Sequence, residues 1–90
     1  MTHDIACDII ASVDRAELRR RIAARPDSVR FAELERLLLA YGWSFERAGK
    51  GDHLVYARGN QRLSVPYRRG TMLAVYVREV LRLTEGEDDE

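Results

Sequence analysis

The chain is poor in the residues that carry metal or covalent chemistry. Among its 90 residues there is one cysteine, Cys7, and there are two histidines, His3 and His53. A single cysteine excludes an internal disulfide and offers no thiolate cluster for a metal. No apolar run approaches the ~20 residues of a membrane span. The start, "MTHDIACDII", lacks the basic stretch and apolar core of a secretory signal. These absences point to a cytoplasmic protein. What is present is ordinary for a small globular domain: 46% hydrophobic and 33% charged residues. The length suffices for one domain with a modest core.

Net charge is also lacking, at +0, but the charges are not evenly spread. The stretch from Trp43 to Arg82 holds eight cations (Arg47, Lys50, Arg58, Arg62, Arg68, Arg69, Arg78, Arg82) against Glu46, Asp52 and Glu79. The closing "EGEDDE" returns the balance to zero. A phosphate chain meets local charge rather than the sum, so a basic domain is masked by an acidic tail. That tail reads either as a solvated, disordered end or as a segment that competes with nucleic acid for the basic face.

Periodicity divides the chain into six elements. In "DIACDIIASVDRAELRRRIAA", Ile5, Ile9, Val13, Leu18 and Ile22 recur at helical spacing, and Pro26 stops the helix. His3 lies at its frayed start. "FAELERLLLAYG" is a second helix, with Phe31, Leu34, Leu37, Leu38 and Tyr41 on one face and Gly42 at the C-terminal cap. "WSFER", "HLVYA" and "QRLSV" read as strands separated by glycine-bearing turns, the last closed by Pro66. Trp43 and Phe45 are assigned to the core. "TMLAVYVREVLRL" reads as a helix capped by Thr71, with Leu73, Val77, Val80, Tyr76 and Leu83 on its inner side. The expected fold class is α+β: a small three-stranded antiparallel sheet with helices on one face. Residues 1–26 form an N-terminal helical extension, 27–83 the domain and 84–90 an acidic disordered tail.

The turn "RGNQ" sets the sheet's parity. Gly59 and Asn60 suit a two-residue type II′ hairpin, which pairs Arg58 with Gln61, Tyr56 with Leu63 and Leu54 with Val65. Leu54, Tyr56, Leu63 and Val65 then face the helices. His53, Val55, Ala57, Arg62 and Ser64 fall on the open face, and a one-residue slip would bury Arg62. From periodicity alone, His53 is either a surface histidine in a strand or the centre of a site.

"VRFAELERLLLAYGW", followed by "RAGKGDHLVY", "LSVP" and "YVREVLRL", resembles the HicA family of bacterial toxins. The likeness spans roughly Val29 to Leu83. It rests on a glycine-bearing turn followed at once by histidine, between a helix ending in Gly-aromatic and a Val-Pro strand end. The resemblance implies a dsRBD-like α-β-β-β-α fold, endoribonuclease activity on mRNA within a type II toxin–antitoxin system, and a HicB-like antitoxin partner. The family's catalytic histidine falls on His53 and its preceding glycine on Gly51. The polar position between them, commonly serine, is Asp52 here. A second histidine often follows the first, where this chain has Leu54. A histidine often follows Val-Pro, where this chain has "YRRG".

One histidine is enough for RNA cleavage, because RNA brings its own nucleophile. A base that takes the 2′-OH proton lets that oxygen attack the adjacent phosphorus, and neither a cofactor nor a metal is needed. Lys50, Arg62, Arg68 and Arg69 are the cations that would hold RNA and stabilise the transition state, while Gly49 and Gly51 let the backbone approach a phosphate. Solvated surface charge is the alternative for each arginine. Asp52 is given no direct role, and Tyr67 is a weak candidate acid or stacking residue; Tyr76 is placed in the core. Two other functions stay open. One is a non-catalytic RNA-binding module of the same fold. The other is a protein-interaction domain docking through the N-terminal helix or the tail.

Overall fold

The computed structural model describes residues 15–87. Cys7, His3, the first part of the helix expected from the sequence and the last three acidic residues lie outside that range. Helix α1 is seen over 15–24 and stops before Pro26, because the residue ahead of a proline is forced out of helical geometry. Helix α2 (Phe31–Ala40), strands β1 (Ser44–Ala48), β2 (His53–Arg58) and β3 (Gln61–Pro66), and helix α3 (Ala74–Leu83) follow. The fold is α+β, with one antiparallel sheet in the order β1-β2-β3.

The β2–β3 register is the one the hairpin turn requires. Arg58 pairs with Gln61, Tyr56 with Leu63, Leu54 with Val65, and His53 with Pro66. Gly59 has φ 59, as the first central position of a type II′ turn demands, and among the described residues positive φ is confined to glycine. Tyr56, Leu63 and Val65 meet Leu34, Leu37 and Leu38 of α2, Val77 and Val80 of α3, and Ile22 of α1 in one core. All three helices therefore cover the same sheet face.

Helix α1 is part of this core rather than an appendage. Ile22 is fully buried and Leu18 packs on the cluster. The Arg19 guanidinium donates to the Thr84 hydroxyl (2.9 Å) and the Leu81 carbonyl (2.6 Å), so α1 is latched to the end of α3. Thr84, at the head of the acidic segment, is itself buried. Glu87 pairs with Arg58 at 3.0 Å.

At the margin of the core, the Tyr56 hydroxyl donates to the half-buried Glu35 Oε2 at 2.5 Å. Burial first, then the Glu35 carboxylate, push the phenol's pKa upward from its ordinary 10.0.

Several side chains depart from the sequence reading. Trp43 is buried, but Phe45 is 50% exposed. Every residue of the edge strand β1 is exposed, and Phe45 meets the edge of the Tyr56 ring at 5.7 Å without entering the core cluster. Thr71 does not cap α3. It bridges to Arg30, and the cap position is Leu73, whose side chain is 45% exposed. Met72 takes the inward place instead. Tyr76 is half-buried and stands outside the core cluster.

Candidate functional site

Strand β2 begins at His53, and the turn before it is closed by a short ladder of backbone bonds. Gly49 N–H donates to the His53 carbonyl (2.7 Å), and His53 N–H donates to the Lys50 carbonyl (3.1 Å). A β-carbon at Gly49 would lie 3.3 Å from His53 Cβ and 3.4 Å from Val55 Cγ2, tighter than ordinary packing, so a side chain there makes its neighbours give by a few tenths of an ångström. Gly51 has φ 62 with open space around it, so backbone conformation alone selects glycine there. Together they fold the turn back over the open sheet face.

The His53 ring points to the same carbonyl as its backbone. Its Nδ1 lies 3.2 Å from the Lys50 oxygen. A carbonyl only accepts, so the contact is a hydrogen bond in the tautomer with the hydrogen on Nδ1, and in that tautomer Nε2 of the neutral ring keeps a free lone pair. The ring is partly exposed on the open face. This arrangement is suited to accepting a proton at Nε2.

The cations around this ring are not the set read from the sequence. Lys50 is adjacent and exposed. Arg62 shares the face but sits opposite Ala57, four residues along the ladder from His53, or roughly 13 Å away. Its guanidinium is held by Glu46 (2.8 Å) and by the carbonyls of Gly59 and Gln61 (2.9 Å each). Arg62 therefore does not join His53. Arg47 does come to this face. The β1–β2 register slips between Phe45 and Arg47, which sets Arg47 opposite Val55. Without that bulge Arg47 would oppose Leu54 on the core side.

Arg68 and Arg69 assemble elsewhere. Tyr67 N–H donates to the Asp52 carbonyl at 2.8 Å, which ties the segment after β3 to the His53 turn. The Tyr67 ring, however, packs edge-on against Phe31 at the start of α2 (5.1 Å, 77°), on the helix side of the sheet. It is therefore not placed as an acid for a group at His53. Arg68 and Arg69 line an open groove of about 320 Å³ with Arg30, Phe31, Glu33 and Tyr67. Asp52 is exposed, and among the described residues its carboxylate pairs with no cation.

Sequence reading missed Arg47, Arg30 and Phe31 as site residues. The bulge that turns Arg47 outward has no glycine or proline to announce it. Arg30 reaches the groove through its bridge to Thr71, a pairing between distant segments.

Among the described residues, no group of three His, Cys, Asp or Glu side chains is placed to hold a metal, and no helix is long and apolar enough to cross a membrane. Comparison of the chain with family models, curated proteins and solved structures returned no match.

Proposed function

We propose that the chain is a metal-independent endoribonuclease of the HicA type, acting on mRNA in the cytoplasm with His53 as its general base. The observation that carries this reading is the Lys50 carbonyl on His53 Nδ1, which leaves Nε2 as the proton acceptor at an accessible face. Nε2 takes the proton of a ribose 2′-OH. The 2′-oxygen then bonds to the adjacent phosphorus, and the bond from phosphorus to the 5′-oxygen breaks. The products are a 2′,3′-cyclic phosphate and a 5′-hydroxyl, the latter protonated by the imidazolium or by water. Lys50, in the turn that carries His53, and Arg47, opposite Val55 and 3.6 Å from Glu46, are the cations we assign to offset charge on the pentacoordinate phosphorus. A HicB-like antitoxin that covered His53 and these cations would silence the reaction.

The test is cleavage of RNA in EDTA by wild type and by His53→Ala, with both confirmed folded by circular dichroism. Loss of the base is expected to slow cleavage by about 10²–10⁴-fold, and the wild-type products are expected to end in 2′,3′-cyclic phosphate. Equal cleavage by the folded variant sinks the reading.

A second reading, an RNA-binding module without cleavage, is favoured by one observation: Arg68 and Arg69 gather away from His53, in a groove on the helix side of the sheet. Its mark is RNA binding by a wild type that cleaves nothing.

A further inference from the structure

The groove between the start of α2 and the loop after β3 holds three cations and no free anion. Arg30, Arg68 and Arg69 line it, and among the described residues none has a carboxylate within ion-pair distance. Glu33 is the one carboxylate in the lining, and it is already engaged. It pairs with Arg25 at 2.5 Å and accepts from Arg30 N–H at 3.2 Å, and the Arg25 guanidinium holds its pKa below the ordinary 4.5. The groove therefore presents uncompensated positive charge.

It also presents an aromatic surface. Tyr67 is 47% exposed, and Phe31 braces one of its sides edge-on. Its backbone is fixed from two directions. Tyr67 N–H bonds the Asp52 carbonyl, and a few residues on Met72 N–H bonds the Val29 carbonyl (2.6 Å) beside the Arg30–Thr71 bridge. The loop carrying the arginines is thus pinned at both ends. Little ordering remains for a ligand to impose.

We infer that this groove is a binding site for single-stranded RNA, in which Arg30, Arg68 and Arg69 take successive phosphates and one unpaired base stacks on Tyr67. Guanidiniums bind phosphate through paired N–H donors, and an exposed ring offers a stacking plane that any base can use. An A-form duplex keeps its bases stacked on each other and leaves none for the ring, so the strand must be single. The inference rests on RNA being the partner, not on cleavage. Because Tyr67 N–H is bonded to the turn that carries His53, a strand seated here passes the sheet end where the proposed base lies. The groove is then a second holding point for the same strand, on the other side of the sheet.

The experiment is fluorescence anisotropy with a labelled oligouridylate of about ten nucleotides. It is done in the His53→Ala background so that the probe survives, at several salt concentrations. R68Q/R69Q is expected to weaken binding by about tenfold or more and to flatten the log–log salt slope by about 1.4, the loss of two phosphate contacts to a single strand. Tyr67→Leu keeps an apolar contact to Phe31 but removes the stacking plane, and is expected to cost about five- to a hundredfold. Unchanged affinity and slope in both variants overturn the inference. So does tighter binding of duplex RNA, or of a polyglutamate peptide, at the same arginines. The two proposals fail separately. If wild type never cleaves while the groove variants lose RNA, the groove stands and the nuclease reading falls. If wild type cleaves, and the groove substitutions leave binding unchanged and also leave cleavage unchanged when made with His53 intact, the groove alone falls.

Discussion

A side chain at Gly49 would be tightly packed against the strand that carries His53. A methyl group would press on His53 Cβ and the His53 carbonyl at 3.3 Å each, and these are strand atoms rather than the loose tip of a long side chain. Gly49→Ala is therefore expected to displace the turn by a few tenths of an ångström. That shift draws the Lys50 carbonyl off Nδ1 and frees the ring to take the other tautomer. We predict that RNA cleavage drops by roughly tenfold, since misplacement by about 1 Å can cost about a hundredfold, while the protein stays folded. The readout is kcat set beside the melting temperature. Wild-type kcat in the alanine variant sinks the tautomer argument. The position of His53 on the open face was legible in the sequence, because parity runs from Gly59 and Asn60 back along the strand without interruption. Its tautomer was not. That depends on where the Lys50 carbonyl points, which follows from backbone angles that no residue type between Gly49 and Asp52 fixes alone.

At the scale of elements, the β2–β3 hairpin and helix α2 are local objects, and sequence patterns describe them well. Leu34, Leu37 and Leu38 repeat at helical spacing, and the hairpin register follows from a two-residue turn. What patterns miss is anything set by packing between distant segments. Phe45 looks like a core residue by type, yet it lies on an edge strand whose residues all stay exposed. Arg68 and Arg69 look like neighbours of His53 by sequence, but the packing of Tyr67 against Phe31 marks their loop's place at the start of α2. Helix α1 gave the least away. Its apolar stripe shows that it packs on something, and only the structure shows that the partner is this core. Ile22→Ala is accordingly expected to cost about 2–5 kcal/mol, the usual range for emptying a buried aliphatic site. Urea denaturation measures it, and a loss under about 0.5 kcal/mol, the size of an ordinary surface change, would mean that α1 is a detachable extension.

The molecule as a whole meets pH through a few coupled groups. Glu17, Glu33 and Glu79 are each held below the ordinary 4.5, mainly by side-chain hydrogen bonds from Arg20, Arg25 and Arg82 respectively. A depressed carboxylate stabilises the fold above its unfolded pKa, and this contribution fades as pH falls through the folded value. These pairs are largely exposed, so the acid limb is expected to be shallow. Tyr56 works the other way. Its phenol is raised above 10.0, so its contribution is complete below that value and is lost as pH climbs through the folded one. Thermal melts across pH are expected to show a plateau that falls on the alkaline side, and Tyr56→Phe is expected to flatten that alkaline fall. An alkaline limb as steep in the phenylalanine variant assigns it to other groups. The latch between Arg19 and Thr84 joins residues 65 positions apart, and this bears on how the protein comes off the ribosome. Helix α1 is made before α3, and Ile22 has no complete cavity to enter until α3 has been synthesised. The hairpin can form while translation continues, whereas the core closes only after Thr84 has emerged. A chain built this way stays unassembled while the message for this domain is still being read, and any activity that needs the closed core is withheld until then.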